Sequence, residues 1–546
     1  MGKRKPSSVV RRYPALGFII AAAALAVLLP SALNVPQSGP STLAEFAPVP
    51  GSGQGSSDVS ELGQAGSGGI GFGNSESTSQ AARPAELGTL AQKRAKLKSC
   101  VGSPPRQTED LLSPPCVAFF EGDNGGVTAK GVTRDEVAVV MYVGGDANTD
   151  PDYRKVIDCA TVPEDDDDPR NLPCAAYMRF FNSRYQTYDR TVHLYADHAS
   201  PHADYDLKYK PFATVASSIL ADKKTLGVLY DSRKRKSYQD KAPYIIGFRA
   251  DLEDQARISA SYVCLKLKGQ LAQFAGDPLL QARTRKFAIF HDSQDGFDLL
   301  APEIRSQCDL SVAVLSNQNN NAQANTATFA QFKQDNVTTI IPILSRIPFI
   351  QATNIATNLG YFPEWALPGS RDLAGPDKNG EARFANPAQW TKAFGVTFDY
   401  RRDAIVDQPW YRAYKEGCAR CADPAPSTGG GPVAELYDQL AMLFYGIQSG
   451  GPRLSAESID KGLHAIPSTG SASPYKPAAY FSPGNHTFLK DATAIWWDPS
   501  GTAPGSQAAG CYRLLYEGKR YRSGEWSAGD SDVRSPGPCQ GDVRVA

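Results

Sequence analysis

The chain of 546 residues is 41% hydrophobic and 10% aromatic, which is typical of a globular protein with room for two or three cores. Its 57 Lys and Arg residues balance its 57 Asp and Glu residues, so no net basic field attracts nucleic acid. The composition therefore argues against a nucleic-acid-binding protein.

The N-terminus combines a basic segment, residues 1–14, with an uncharged apolar segment, residues 15–35. The apolar segment contains ALGFIIAAAALAVLL and is either a secretory signal or a single membrane anchor, with the basic end in the cytoplasm. No clear small-x-small cleavage site follows it, which favours an uncleaved anchor. The rest of the chain is expected to be extracytoplasmic, either anchored to the cell membrane or secreted.

Residues 36–95 are rich in Gly, Ser and Pro and are predicted to be a disordered tether, because they cannot bury enough apolar surface to fold. The cysteines all follow this tether. Outside the cytoplasm these cysteines can be oxidised to disulfides. Their spacing predicts that each disulfide joins two cysteines that are consecutive in the chain. They are Cys100, Cys116, Cys159, Cys174, Cys264, Cys308, Cys418, Cys421, Cys511 and Cys539.

After a disulfide-bearing lead-in at residues 96–134, strand and helix patterns alternate. EVAVVMYVGG from Glu136 is a β-branched run typical of a strand buried on both faces, and a helix with regularly spaced aromatic residues follows it. The alternation restarts at KFAIFHD. Two such series predict an α/β fold with two doubly wound parallel-sheet lobes, residues 135–268 and 285–400.

The chain then continues beyond the second lobe. The apolar helix PVAELYDQLAMLFYGIQSGG opens residues 432–480, which are expected to return to the first lobe. Residues 481–546 alternate like antiparallel strands and are expected to pack on the second lobe.

Three adjacent residues, His291, Asp292 and Ser293, have the side-chain types of a hydrolytic triad. Neighbours in an extended chain point to opposite sides, however, so a triad has to converge from separate places. The sequence has no GxSxG elbow. These residues are therefore expected to lie in a strand-end loop, and a secreted hydrolase using His291 or His198 is the less favoured alternative.

Other motifs have ordinary structural explanations. CARC at Cys418 has no second close cysteine pair to complete a zinc site, so a local disulfide is favoured. PEDDDDPR, with Asp165 to Asp168, lacks the spaced ligands of a calcium loop and is expected to be a solvated acidic turn. No HExxH pair is present, and no phosphate loop or GxGxxG follows the first strand, so no metal and no cofactor are expected.

From about Asp135 onward the chain resembles the type 1 periplasmic binding proteins, specifically the branched-chain amino-acid (leucine) receptor family of ABC-transporter substrate-binding proteins. IIGFRADLEDQARISASYV looks like the segment with which that family leaves its first lobe. RKFAIFHDSQDGFDLLAPEI is similar to the start of the second lobe, and AELYDQLAMLFYGIQSGG to the returning helix. The resemblance implies the type 1 periplasmic binding fold with hinge crossovers and no enzymatic activity.

The resemblance also implies ligand contacts from strand-end loops and helix N-termini of both lobes. Matched positions in the two lobes are Gly145, Asp146, Ser217, Ser218, Asp231, Ser232, Ser293, Gln294, Ser345 and Ser370. The family's usual Tyr before the loop Gly is Asp295 here, so the resemblance implies the binding mode and not leucine itself.

The expected function is an extracytoplasmic solute-binding protein that holds a small polar ligand, an amino acid or a related compound, between its lobes. Its expected partners are the solute, an ABC permease and the membrane through its N-terminal segment, with no nucleic acid. A ligand-sensing receptor domain of the same fold remains the main alternative. An interaction protein that has lost its ligand is a further one.

Overall fold

In the computed structural model the described residues begin at Cys100. The predicted cytoplasmic segment, membrane segment and tether lie outside the described residues. The structure describes residues 100–101, 106–107, 109–142, 156–166, 171–197, 209–215, 220–292, 296, 298–318, 321–369, 373, 382–400, 404–424, 430–470, 476–504, 508–527, 534 and 537–540.

The first sheet follows a short antiparallel pair, β1 (Cys100–Val101) and β2 (Arg106–Gln107). Its strands are β3 (Glu136–Tyr142), β4 (Val156–Asp158), β5 (Thr191–Asp197), β6 (Ala213–Val215), β7 (Leu226–Leu229) and β8 (Ile245–Gly247). They lie in the order β4-β5-β3-β6-β7-β8, and all pairs are parallel except β4 with β5. The parallel strands therefore have the doubly wound order 2-1-3-4-5.

The second sheet has eight strands and repeats this order. Its strands are β9 (Phe287–His291), β10 (Ala313–Ser316), β11 (Thr339–Ile343), β12 (Glu364–Pro368), β13 (Ala393–Thr397), β14 (Ala492–Thr502), β15 (Ala509–Leu514) and β16 (Arg520–Tyr521). Parallel strands run β10-β9-β11-β12-β13, and β14 to β16 add to the β13 edge in antiparallel pairs. The antiparallel pattern predicted for the C-terminal tail is thus present in the second sheet.

Helices cover the sheets. They are α1 (Leu172–Arg184), α2 (Arg235–Gln239), α3 (Leu252–Tyr262), α4 (Pro278–Gln281), α5 (Leu300–Cys308), α6 (Ala322–Gln334), α7 (Arg346–Asn358), α8 (Pro387–Trp390), α9 (Pro409–Gly417), α10 (Gly430–Gly450) and α11 (Ala456–Ala465). Shorter turns of helix occupy Ala221–Lys223, Val263–Leu267, Ile405–Asp407 and Tyr516–Gly518.

The aromatic residues predicted on one helix face build the core of the first lobe. Phe181 of α1 stacks on Phe444 of α10 with ring centroids 5.0 Å apart, and Tyr177 meets Tyr437 at 5.7 Å. Tyr177 also meets Tyr414 of α9 at 6.4 Å. Helices α9 and α10 therefore return the chain to the first lobe, because they bury the same aromatic face.

Alternation along β9 explains why the second sheet is covered on both sides. Ala288 and Phe290 face a core with residues of α6, and Phe329 meets Phe290 at 5.0 Å. Phe287 and Ile289 face the opposite core, which contains Ile258 of α3. Successive residues of a strand point to opposite faces, so an unbroken apolar strand requires helices on both sides.

Two lobe boundaries differ from the sequence-based ones. Helix α3, predicted to close the first lobe at residue 268, packs in a core of the second lobe. Phe481 and Phe488, predicted to pack on the second lobe, lie in the first lobe's core, and Thr487 pairs with Gly247 of β8. The period of apolar residues in a sequence predicts a helix or a strand but not the sheet on which it packs. Both lobe boundaries therefore differ from the predicted ones.

Disulfides join cysteines that are consecutive in the chain, as their spacing suggested. The structure has Cys159–Cys174, Cys264–Cys308, Cys418–Cys421 and Cys511–Cys539, and Cys116 is also disulfide-bonded. Among the described residues none of the helices, the 21-residue α10 included, is long and apolar enough to cross a membrane.

Candidate functional site

The candidate site lies where the parallel strands of each sheet end, because their carboxyl ends share one edge. Asp231 and Ser232 follow β7, and Ser345 follows β11. The other matched positions, Gly145, Asp146, Ser217, Ser218, Ser293, Gln294 and Ser370, lie outside the described residues.

Asp231 and Ser232 lie where the first lobe meets the helix that opens the second. The hydroxyl of Tyr238 donates to the backbone carbonyl of Asp231 at 3.2 Å. The side-chain amide of Gln255, on α3, donates to Ser232 Oγ and also to the carbonyl of Ala250 at 3.0 Å. Ser232 therefore ties a strand-end loop of the first lobe to α3.

Ser345 begins α7 and is bound to Asp292. Its backbone N–H and its hydroxyl both donate to Asp292 Oδ2, each at 2.6 Å. A carboxylate at this position satisfies a free amide and opposes the positive end of the helix dipole. The anion-binding position at the start of α7 is therefore already occupied by the Asp292 carboxylate.

His291 and Asp292 are arranged as structural residues and not as members of a hydrolytic triad. His291 ends β9, is largely buried, and its Nδ1 lies 2.7 Å from the backbone carbonyl of Asp292, so this nitrogen is the N–H donor. In a hydrolytic triad this nitrogen donates to a carboxylate. The third residue of the motif, Ser293, lies outside the described residues.

Strand-end loops of the two lobes contact each other. Lys234 Nζ, after β7, lies 3.0 Å from Asp298 Oδ2, after β9, and both side chains are about half exposed. Gly296 in the same second-lobe loop has φ +83° and packs on Leu252, where a Cβ would approach the leucine side chain to 3.0 Å. The left-handed backbone and the close approach both favour glycine here.

Charged side chains hold the segments that pass between the lobes. Arg520 is buried and donates from Nε to Asp491 Oδ1 at 2.8 Å, from Nη1 to the carbonyl of Asp399 at 2.9 Å, and from Nη2 to that of Phe398 at 3.1 Å. Burial raises the pKa of Asp491, and Arg520 opposes this change. One arginine thus joins the crossover at residues 398–399 to the crossover at 490–491.

A second cluster of charged side chains surrounds Asp254 at the start of α3. Arg235 Nη2 donates to Asp254 Oδ1 at 2.6 Å and its Nε donates to Asp251 Oδ2 at 2.8 Å, while Lys490 Nζ lies 3.5 Å from Asp254 Oδ2. Burial alone would raise the pKa of Asp254, but the Lys490 and Arg235 cations lower it. Burial lowers the pKa of Lys490 to about 8.

Two motifs singled out in the sequence lie next to each other. Cys418 and Cys421 of CARC form a disulfide directly after α9 ends, whereas a thioredoxin-type site begins a helix. Arg420, between them, donates to Glu164 Oε2 of PEDDDDPR at 3.0 Å, which lowers the pKa of Glu164. The described part of the acidic run precedes α1, as expected; Asp167 and Asp168 lie outside the described residues.

The sequence did not identify the ion pairs that Arg520 and Asp254 make at the crossovers. It also did not identify a cluster of Asp460, His464 and His486, in which one possible metal-ligand atom from each residue lies within 4.8 Å of the others. The i, i+4 spacing of Asp460 and His464 was the only local signal for this cluster, since such residues share one helix face. His486 comes from a different part of the chain, which no local pattern shows.

No protein-family model and no curated protein matches this chain. Solved structures similar to it include an ABC transporter substrate-binding protein from Aeropyrum pernix, with 11% identity over 71% of this chain and 96% of that one and a TM-score of 0.46. A leucine-, isoleucine-, valine-, threonine- and alanine-binding protein from Brucella ovis in a closed conformation has 10% identity over 73% of this chain and 99% of that one, with a TM-score of 0.47.

A branched-chain amino-acid ABC transporter protein from Thermus thermophilus with bound valine has 13% identity over 71% of this chain and 97% of that one, with a TM-score of 0.46. The parallel strands of both sheets have the order 2-1-3-4-5. The chain has two doubly wound α/β lobes joined by crossovers, the fold class expected of a type 1 periplasmic binding protein.

Proposed function

We propose that this chain is an extracytoplasmic solute-binding protein whose two lobes enclose a small polar ligand, an amino acid or a related compound. The observation that carries the proposal is the contact between strand-end loops of the two lobes at Lys234 and Asp298. Ligands of open α/β sheets bind outside the carboxyl ends of the strands. Loops that meet from two such sheets form the walls of one cleft.

Crossovers between the lobes supply the second support. Hinge proteins close around a ligand when a few residues between domains change their backbone angles. Here the chain passes between the lobes near residues 249–251, 398–399 and 490–491, and Arg520 and Asp254 bind side chains or carbonyls of these segments. Such bonds keep the segments together while the lobes rotate.

The ligand contacts are proposed to come from the strand-end residues of both lobes. Ser345 differs from the other candidate residues, because its hydroxyl and its backbone N–H already donate to the Asp292 carboxylate. A carboxylate of the ligand at this helix start would meet a like charge. The proposed ligand therefore presents a neutral or cationic group to the start of α7.

A ligand screen tests the proposal. The purified extracytoplasmic part is melted with amino acids, amides, short peptides and sugars, and one class is expected to raise the melting temperature. Asp231→Asn is expected to weaken that ligand's binding in calorimetry, whereas Asp222→Asn, an exposed carboxylate in the same lobe, leaves it unchanged. A flat response to every class would contradict the proposal.

An ABC-type uptake role is the proposed use of this binding, and ligand sensing is the alternative. Cells lacking the chain are expected to lose uptake of the radiolabelled ligand and to recover it with the wild-type chain. Recovery with Asp231→Asn is expected to be reduced. Normal uptake without the chain, combined with intact ligand binding in vitro, would favour the sensing role.

A further inference from the structure

Helix α11 places two metal-ligand side chains on one face. Ser455 caps the helix by accepting from Ser458 N at 3.1 Å, and Ser458 Oγ accepts from Ser455 N in return at 2.9 Å. This reciprocal cap fixes where the helix begins. Asp460 and His464 follow at i and i+4, so their side chains lie side by side.

The third side chain, His486, comes from the segment that extends the first sheet beyond β8. Gly247 N, at the end of β8, donates to the carbonyl of His486 at 2.9 Å, and Thr487 pairs with Gly247. His486 is held at this sheet edge by backbone bonds and not only by its own side chain. The ring of His464 meets the ring of His486 nearly edge-on, with centroids 5.3 Å apart.

The distances among these groups suit a metal ion. Asp460 Oδ1 lies 2.7 Å from His486 Nδ1 and 3.5 Å from His464 Nδ1. Two ligands of a tetrahedral Zn²⁺, each about 2.0 to 2.1 Å from the ion, are separated by about 3.4 Å. The two observed distances bracket this separation. His464 Nδ1 also donates to the backbone carbonyl of Asp460 at 2.8 Å, so an ion at this nitrogen replaces that hydrogen bond when the three side chains move around it.

We propose that Asp460, His464 and His486 form a binding site for a divalent transition-metal ion, Zn²⁺ in the first instance, on the first lobe. Two imidazoles and one carboxylate are ligands that suit Zn²⁺ and its neighbours Co²⁺, Ni²⁺ and Cu²⁺, and not Mg²⁺ or Ca²⁺. The ion takes the place of the hydrogen bond that joins His486 Nδ1 to Asp460 Oδ1. Water completes the coordination.

Burial and access fit this assignment. The side chain of His486 is 9% exposed and those of Asp460 and His464 are each 23% exposed, so the cluster is anchored on one side and open to solvent on the other. Phe481 packs edge-on against the His464 ring with centroids 5.2 Å apart, which limits its rotation. An ion at this position ties α11 to the sheet-edge segment that leads into the crossover at residues 490–491.

The test uses the full extracytoplasmic chain, purified without a polyhistidine tag and stripped with a chelator. Titration calorimetry is expected to show saturable Zn²⁺ binding at a single site, and thermal unfolding is expected to show a higher melting temperature with the ion. Co²⁺ is expected to give visible d–d absorption bands that Zn²⁺ displaces. His464→Ala and His486→Ala are each expected to weaken Zn²⁺ binding at least about tenfold.

His193→Ala is the matched control, because His193 also lies near a carboxylate of the first lobe, 3.7 Å from Asp158 Oδ2, and is not part of the cluster. This variant is expected to bind Zn²⁺ like the wild type. His464→Ala keeps the test decisive if His486→Ala does not fold, because His464 is the more exposed ring. Absence of saturable Zn²⁺ and Co²⁺ binding by the folded wild type, or equal binding by His464→Ala, overturns the proposal.

Discussion

Arg520 and Asp491 form a buried ion pair at the junction of the two lobes, with Arg520 Nε donating to Asp491 Oδ1 at 2.8 Å. The same guanidinium donates to backbone carbonyls of Phe398, Asp399 and Asp491. A planar guanidinium with several donors is suited to this role, whereas an ammonium group presents a point charge. The pair therefore orders two chain segments that are distant in sequence.

Replacing Arg520 by Met is expected to lower the free energy of unfolding by about 3 to 5 kcal/mol, because the Asp491 carboxylate is left buried without its cation. Denaturant unfolding at neutral pH measures this loss. The control is Arg420→Met, since Arg420 is 85% exposed in its pair with Glu164. Its replacement is expected to change stability by less than about 1 kcal/mol.

The double variant Arg520→Met with Asp491→Asn separates charge from packing. Removing both charges is expected to recover part of the loss, because no unpaired carboxylate then remains. A double variant that is as unstable as the sum of the two single variants would show that the pair itself contributes nothing and that the carbonyl hydrogen bonds dominate.

Lys490 is expected to make stability rise with pH above about pH 8. Burial lowers its folded-state pKa to about 8, whereas an unfolded lysine titrates near about 10.4. Between these values the unfolded chain binds the proton and the folded chain does not, so the free energy of unfolding increases with pH. Below about pH 8 both states are protonated and the full cost of burying the cation remains.

Lys490→Met removes this contribution and is the comparison that isolates it. The stability of the wild type relative to Lys490→Met is expected to rise by roughly 2 kcal/mol between pH 7 and pH 10. Tyrosines titrate alike in both proteins and cancel in the difference. A difference that stays constant over this range would mean that Lys490 keeps an ordinary pKa in the folded chain.

Two disulfides are expected to differ in their contribution because they close loops of different length. Cys264–Cys308 spans 44 residues and Cys418–Cys421 spans 3. The chain-entropy relation predicts losses of about 4 kcal/mol and about 1.6 kcal/mol when each pair is replaced by alanines. Denaturant unfolding of the two double variants measures the difference, and equal losses would contradict the loop-length explanation.

Ser345→Ala distinguishes a structural hydrogen bond to Asp292 from a ligand contact. The loss of its hydroxyl bond to the Asp292 carboxylate is expected to lower the free energy of unfolding by about 1 to 2 kcal/mol without ligand. Asp292→Ala is expected to remove most of the effect of Ser345→Ala when the two are combined, because they share one interaction. Unchanged stability combined with weaker ligand binding would instead make Ser345 a pure ligand contact.

The sequence by itself determined the fold class and the elements that have a strong apolar pattern. Continuous apolar strands such as EVAVVMY and alternating helix patterns are local signals, and local signals fix the type of element and the need for helices on both faces of each sheet. The consecutive pairing of the cysteines follows from proximity along the chain in the same way. Asp251, whose side chain accepts from Asp254 N, shows that helix starts are also set locally.

Only the tertiary structure decided where one lobe ends and the other begins, and which charges lie together. Helix α3 has the same amphipathic pattern whichever sheet it covers, so its membership of the second lobe depended on the cores available to it. Arg520 and Asp399 are 121 residues apart, Lys490 and Asp254 are 236 apart, and His486 joins Asp460 from a separate segment. Contacts at such separations depend on how the whole chain packs, and no local periodicity contains that information.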